Sequence, residues 1–77
     1  MTETSLLRRV CIDTGVMLGK PVIKGTRLTV DIIVEKIAFG ASMDDIKADY
    51  PFLSSEDISA ALLYAARSVA NEEVFAA

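Results

Sequence analysis

The chain has 77 residues, 52% of them hydrophobic, and a formal net charge of −3 at pH 7. A chain of this length forms one domain with a small core. It has no histidine and one cysteine, Cys11, which excludes the usual soft-ligand metal sites and an intrachain disulfide framework. Without histidine, no side chain is naturally poised to exchange protons near neutral pH, so we expect a protein that is not an enzyme and has no cofactor or small-molecule substrate.

The sequence contains no signal for a membrane. No stretch approaches the ~20 consecutive apolar residues that a transmembrane helix needs. Arg8 and Arg9 are not followed by the apolar stretch of a signal peptide. We therefore expect a cytoplasmic protein with no membrane partner. The high apolar fraction predicts instead a protein-facing surface, with a homodimer as the expected assembly.

Charge is divided unevenly between the two halves of the chain. Residues 1–36 carry six basic and four acidic groups, whereas residues 37–77 carry two basic and seven acidic groups. This asymmetry is typical of a basic binding arm on an acidic body. A solvated surface without a binding role is the alternative that the charges alone leave open.

The N-terminal part predicts a short β arm over residues 8–27, preceded by a segment, residues 1–7, that we expect to be flexible. Two short apolar runs rich in β-branched residues, residues 10–12 and 22–23, predict its strands. Gly25 can supply the positive φ of a tight turn. Two short strands are marginal by themselves, so the arm is expected to pack on the helices or to pair with a second copy.

The spacing of apolar residues predicts a first helix over residues 30–39. Thr29 precedes it as an N-cap, whose side chain can accept from a free N–H of the first turn. Gly40 follows it as the left-handed residue that commonly ends a helix. The buried face of this helix is expected to consist of Val30, Ile33, Val34 and Ile37.

Two further helices are predicted from the same kind of start signal. Ser42 with Asp45, and Ser54 with Asp57, have the three-residue spacing of a capping box. Pro51 ends the second helix, because the residue before a proline is disfavoured in helical conformation.

The third predicted helix runs to about residue 71 and is apolar on more than one side, so part of it is expected to face a partner. The second helix, the intervening turn and the third helix have helix-turn-helix proportions. The predicted organisation is a single domain over residues 1–77, mainly α, with a three-helix unit over residues 28–71. Residues 72–77 form a tail that we expect to be flexible.

Four features of the sequence stand out together: GKPVIKGTR at 19–27, Gly40, DYP at 49–51, and AAL leading to YA within 60–65. With these features, the sequence from residue 8 to residue 67 resembles a bacterial family, domain-of-unknown-function family four-three-three (DUF433). The resemblance implies a homeodomain-like, three-helix helix-turn-helix bundle for the helical unit. The chain departs from the family pattern at Leu18, where another glycine is common, and at Thr29, where proline is common.

The resemblance also implies a function. Some members of the family look like the antitoxin half of type II toxin–antitoxin pairs, whose toxins resemble PIN-domain ribonucleases. The implied role is an antitoxin-like regulator that binds a ribonuclease toxin and its own operator DNA. Two alternatives stay open: a helix-turn-helix DNA-binding module without a toxin partner, and a small protein-interaction adaptor.

Two groups of residues are candidates for DNA binding. The first group is basic and stands at the entrance to the first helix, where it can hold phosphates. The second lies at the start of the third helix, the part of a helix-turn-helix that reaches base edges. The alternative is that Arg27 pairs with acids of the helices and Lys20 is only solvated. The candidates are Lys20, Lys24 and Arg27, supported by Arg8 and Arg9, and then Ser55 and Ser59.

Four residues are candidates for binding a protein partner. Glu56 is acidic and suits the basic RNA site expected of a ribonuclease toxin. Leu63 and Tyr64 lie on the third helix beside its main apolar stripe. Phe75 is a solitary aromatic residue in the tail and a candidate anchor. A tail without a binding role is the alternative for Phe75.

Overall fold

The structure, a computed structural model, describes residues 2–71 as a mainly helical domain with a small antiparallel sheet. The three predicted helices are present, and the predicted N-terminal strands pair with each other. A further short helix precedes them. In chain order the elements are α1 (Glu3–Leu7), β1 (Val10–Ile12), β2 (Pro21–Ile23), α2 (Val30–Ala38), α3 (Met43–Asp49) and α4 (Ser55–Asn71).

The β arm packs on the helices of its own chain. Its strands are antiparallel, with Val10 opposite Ile23 and Cys11 opposite Val22. Val22 and Ile23 are buried, and Ile23 belongs to the main core cluster. An additional bridge joins Val22 to Thr29, immediately before α2. Of the two arrangements expected for the arm, packing on the helices is therefore the one observed.

The core lies where β2, α2, α3 and α4 meet. Ile33, Ile46 and Ile58 come from three different helices, and each is completely buried. The α2 and α4 helices pack against each other, while α3 is attached mainly through Ile46, its one buried residue. The buried residues of the cluster are Ile23, Leu28, Val30, Ile33, Ile46, Leu53, Ile58 and Ala61.

Helix α1 occupies a segment for which the sequence predicts no regular element. Thr2 and Ser5 form a capping box at its start, in which Ser5 N donates to Thr2 Oγ1 at 3.1 Å. The helix packs against α4, and an ion pair joins Glu3 to Arg67. A helix of five residues is not stable by itself in water, so these long-range contacts are what hold it.

The capping predictions are confirmed at two helices and corrected at the third. Asp45 N donates to Ser42 Oγ at 3.1 Å, and Ser42 N donates to Asp45 Oδ2 at 2.9 Å. Ser54 and Asp57 make the same two bonds at the start of α4. Thr29 occupies the N-cap position of α2, but its side chain makes no capping bond. Thr29 is buried beside β2, with 1% of its surface exposed, and its side chain bonds to the Asp31 carboxylate instead.

The capping box of α3 predicts a pH dependence. The backbone N–H and the side chain of Ser42 both stabilise the Asp45 carboxylate and lower its pKa. Because the folded-state pKa lies below the unfolded one, this contribution is present above about pH 4 and is lost as the pH falls through the folded pKa. We expect Asp45→Asn to reduce the drop in melting temperature between pH 7 and pH 3, measured by circular dichroism. Asp44→Asn is the control, and an equal reduction by that variant would contradict the assignment.

A strained turn precedes β2. Residues Met17–Gly19 form a 3-10 turn in which Met17 and Leu18 have φ of 48° and 57°. This is the left-handed region, which costs a residue with a Cβ about 1–2 kcal/mol. Leu18 offsets none of that cost by packing, because 98% of its surface is exposed.

Leu18→Gly is expected to raise the free energy of unfolding by roughly 0.5–1 kcal/mol. The change removes the left-handed strain and loses no contact, while the greater freedom of glycine in the unfolded chain cancels part of the gain. Urea unfolding measures the effect. Leu18→Ala keeps the Cβ and is the matched control, so a glycine variant no more stable than the alanine variant would refute the strain.

Candidate functional site

Five polar side chains, three of them basic, line a pocket of about 350 Å³ that we call the basic pocket. The pairing of β1 with β2 assembles it, since Lys24 N donates to Arg9 O at 2.8 Å just beyond the last strand pair. Three residues of the predicted basic group, namely Lys24 and the supporting Arg8 and Arg9, therefore meet the start of α4. The pocket is lined by Ser5, Arg8, Arg9, Lys24 and Asp57.

Asp57 fixes one of these cations. Arg9 Nη1 donates to Asp57 Oδ1 at 3.1 Å, while Asp57 Oδ2 accepts from Ser54 N at 3.0 Å. The Asp57 side chain is only 15% exposed, and that of Arg9 is 38% exposed. Asp57 therefore has two roles: it caps α4 and it holds the guanidinium of Arg9 at the wall of the basic pocket.

The other two predicted basic residues lie elsewhere. Lys20 is exposed and pairs with Asp31 at 3.4 Å, so it is more than a solvated side chain. The pKa of Asp31 is lowered, first by a hydrogen bond from the Thr29 side chain and then by Lys20. Arg27 is exposed and forms no ion pair with any residue between 2 and 71. Neither residue lines the basic pocket.

The start of α4 is more basic than the sequence suggests. Lys47 of α3 donates to Ser55 Oγ at 3.0 Å, so the Ser55 hydroxyl is already engaged. Ser59 is half-buried, and Glu56 is exposed. Lys47 was not selected from the sequence, because only the corner between α3 and α4 brings it to this position. In the first turn of α4, Asp57 thus accepts a hydrogen bond from Arg9, and Ser55 accepts one from Lys47.

A second candidate surface is apolar and aromatic, and we call it the aromatic patch: Ile32, Phe39, Tyr50 and Phe52. Phe39 is 84% exposed and Phe52 is 59% exposed. The rings of Tyr50 and Phe52 meet edge to face with centroids 6.0 Å apart. Lys36 Nζ lies 5.6 Å from the centre of the Tyr50 ring. An open depression of about 510 Å³ contains Ile32, Phe39 and Tyr50 together with Glu35, Lys36 and Ala41.

The aromatic patch was not identified from the sequence, although a signal for it exists. Ile32 and Phe39 are seven residues apart, the spacing of one helical face. Both residues lie outside the buried face of α2 that includes Val30 and Ile33, so they indicate a second, exposed apolar face at this helix. Tyr50 is half-buried and packs against the core.

A third surface is the groove between α2 and α4, with a volume of about 480 Å³. Tyr64, a predicted partner-binding residue, lies in it, as does Val69, which is 61% exposed. Leu63 is half-buried but does not line the groove. Phe75 lies outside the described residues. The groove is lined by Pro21, Val30, Asp31, Val34, Glu35, Tyr64, Ala65, Ser68 and Val69.

Two further observations concern other kinds of site. Between residues 2 and 71, no three side chains of the metal-binding types come close enough together to hold an ion. No helix in that same part of the chain has both the length and the apolar character to cross a bilayer.

Comparison with known proteins identifies the family. A family model described as "Protein of unknown function (DUF433)" matches residues 10–65. The chain belongs to the DUF433 family. The crystal structure of a DUF433 member from Anabaena variabilis ATCC 29413 is similar, with 33% sequence identity and a TM-score of 0.77 over 87% of this chain. The match covers 66% of that protein's chain. Among curated proteins, no match was found.

The DUF433 motifs have structural roles in this fold. Gly25 and Gly40 have φ of 82° and 97°, in the turn before α2 and at the end of that helix. Pro51 follows the end of α3, and Ala60 and Ala61 are completely buried within α4. These glycine, proline and alanine residues therefore explain the fold, whereas the motif residues Lys24 and Tyr50 lie in the basic pocket and in the aromatic patch.

Proposed function

We propose that this DUF433 protein is a non-enzymatic binding protein of the antitoxin type, which binds a PIN-type ribonuclease toxin and its own operator DNA in the cytoplasm. The observation that carries the proposal is the aromatic patch, in which Phe39 exposes 84% of its surface although the chain has a formed core. A contiguous exposed apolar patch is the usual mark of a protein–protein interface.

The composition of the aromatic patch supports a protein partner. Aromatic side chains carry a large share of the binding energy in interfaces, and they lose little conformational entropy when they are covered. Tyr50 and Phe52 already hold each other edge to face, so part of the patch is ordered before binding. Such preorganisation lowers the entropic cost of association.

The charge next to the aromatic patch supports a basic partner. Helix α3, which leads into Tyr50, carries Asp44, Asp45 and Asp49. The Asp44 side chain is 93% exposed; it pairs with Lys47 at 3.6 Å, and Asp49 pairs with Lys36 at 3.6 Å. With three carboxylates and one lysine, α3 keeps a net charge of −2. An enzyme that cleaves RNA is expected to hold phosphates with basic groups, and an acidic surface complements such a site. The aromatic patch with its acidic border therefore suits the RNA-binding face of a ribonuclease.

The second part of the proposal is operator binding by a homeodomain-like helix-turn-helix. Helices α3 and α4 are joined by residues 50–54 and have the proportions of that motif. The basic pocket adjoins the start of α4 through Asp57. A homodimer, measurable by light scattering, would double these contacts and match a two-fold symmetric operator.

One alternative has its own supporting observation. The basic pocket and Lys47 place cations on both sides of the first turn of α4. A DNA-binding module without a toxin partner would use the same surface, and the aromatic patch would then serve another purpose. Co-purification with a toxin separates the two functions.

The experiment is co-expression of the full chain with the product of the neighbouring reading frame. We expect that product to be a PIN-type ribonuclease, to co-purify with the chain through size exclusion, and to stop growth when it is expressed alone. Recovery of growth on co-expression is the expected result. A toxic ribonuclease that elutes free and still stops growth in the presence of the chain would contradict the antitoxin function and favour the DNA-binding module.

A further inference from the structure

We infer that the basic pocket is a phosphate-binding site that holds a backbone phosphate of duplex DNA. The inference rests on the operator-binding part of the proposed function and assigns it to specific side chains. The phosphate-binding residues beside Lys24 are then Arg8 and Arg9. Lys20 and Arg27 are not among them, because the fold places both outside the pocket.

The backbone builds the pocket from three separate segments. Arg8 and Arg9 connect α1 to β1, Lys24 follows β2, and Asp57 lies in the first turn of α4. The register that puts Val10 opposite Ile23, together with the bond from Lys24 N to Arg9 O, sets the two cations side by side. Like charges at adjacent positions of paired strands destabilise the pair. A bound anion would relieve that repulsion.

The pocket has more positive charge than its own residues neutralise. Its three cations face one carboxylate, that of Asp57. Lys20, Lys36, Lys47 and Arg67 each pair with a carboxylate. Among residues 2–71, Arg8 and Lys24 in the pocket and Arg27 outside it pair with none.

Arg9 also keeps binding capacity. A guanidinium has five N–H donors, and the hydrogen bond to Asp57 engages Nη1 alone. Asp57 thus acts as a positioning residue that aims Arg9, while the remaining donors are free for phosphate oxygens. Arginine held in this way suits the fork geometry of a phosphate.

The position of the pocket favours duplex DNA over a small phosphate compound. It is an open depression beside the first turn of α4, where Asp57 belongs to both. In a helix-turn-helix complex, the residues that flank the start of the second helix contact the DNA backbone while the helix enters the groove. Lys47, hydrogen-bonded to Ser55, lies at the same end of α4 and adds a further cation to the three of the pocket.

The test uses the full chain and a fluorescently labelled duplex that contains the DNA upstream of its own coding sequence. Fluorescence anisotropy at several salt concentrations gives the affinity and the slope of log K against log salt. The variant Arg8→Gln/Lys24→Gln removes two charges from the pocket. The matched control, Lys20→Gln/Arg27→Gln, removes two charges elsewhere in the same N-terminal part, so both variants have the same net charge.

Each chain of the expected homodimer loses one phosphate contact, so two contacts are lost in total. We therefore expect the pocket variant to lower the magnitude of the salt slope by about 2 and to weaken binding roughly fiftyfold at 0.1 M salt, while the control keeps the wild-type slope. Circular dichroism melting should show both variants folded, since all four side chains are exposed. A normal slope in the pocket variant, or equal losses in both variants, would overturn the assignment. So would binding of inorganic phosphate without salt-dependent binding of the duplex.

The failure of this inference is distinguishable from failure of the proposed function. Binding of the ribonuclease toxin is measured on the same pocket variant, and we expect it to stay within twofold of the wild type. A wild-type chain that binds the toxin but not the duplex would overturn the phosphate site and leave the toxin-binding proposal standing.

Discussion

Phe39→Asp is expected to weaken binding of the ribonuclease toxin by roughly thirtyfold or more, which corresponds to about 2 kcal/mol. Phe39 is the most exposed residue of the aromatic patch, so a partner that covers the patch must cover this ring. An aspartate there would remove the apolar contact and leave a carboxylate to be buried. The affinity is measured by isothermal titration calorimetry with the purified toxin.

Leu18→Asp is the matched control for this prediction. Leu18 is 98% exposed and lies in the turn before β2, outside the aromatic patch. The same change of an apolar side chain to a carboxylate is expected to leave toxin affinity unaltered there. Val69→Asp places a carboxylate in the groove between α2 and α4 and so tests that groove as the alternative toxin-binding surface. If Val69→Asp abolishes binding and Phe39→Asp does not, the aromatic patch is the wrong surface.

Ile46→Ala is expected to lower the free energy of unfolding by about 3 kcal/mol. Ile46 is completely buried and is the one buried residue of α3. The substitution removes apolar contacts and leaves a cavity between α3 and the rest of the core. Because small domains have roughly 5 kcal/mol of stability, most of it would be lost. Urea unfolding followed by circular dichroism measures the change.

Ile46→Val tests whether this loss comes from the packing of one side chain. Removal of a single methylene group is expected to cost about 1 kcal/mol and to leave the slope of the urea transition unaltered. A cost below about 1 kcal/mol for Ile46→Ala would mean that α3 does not depend on this contact.

Most of the local structure of the helices could be predicted from the sequence, because its signals lie within a few residues of each other. The pair Ser42 and Asp45 marks the start of α3, and Gly40 marks the end of α2. The apolar stripe of α2 identified Val30 and Ile33 as core residues, and both are buried. In each case, one turn of the chain contains the donor, the acceptor or the contact that decides the conformation.

The binding surfaces could be predicted less well, because long-range contacts assemble them. Lys24 joins Arg9 only through the register of the β arm, and Arg9 meets Asp57 across 48 residues of sequence. The same limit explains why α1 was not predicted, since its stability depends on α4. Thr29 shows a further limit of prediction from sequence. It occupies the N-cap position of α2, but its buried side chain bonds to Asp31 and makes no capping bond.

The most direct test of the central claim, that this chain binds and inhibits a ribonuclease, is a titration. The product of the neighbouring reading frame is held at a fixed concentration while RNA cleavage is followed against increasing amounts of the chain. We expect cleavage to fall in proportion to the added chain and to stop at a fixed molar ratio, with no cleavage by the chain alone. Full cleavage in the presence of a molar excess of the chain would contradict the claim.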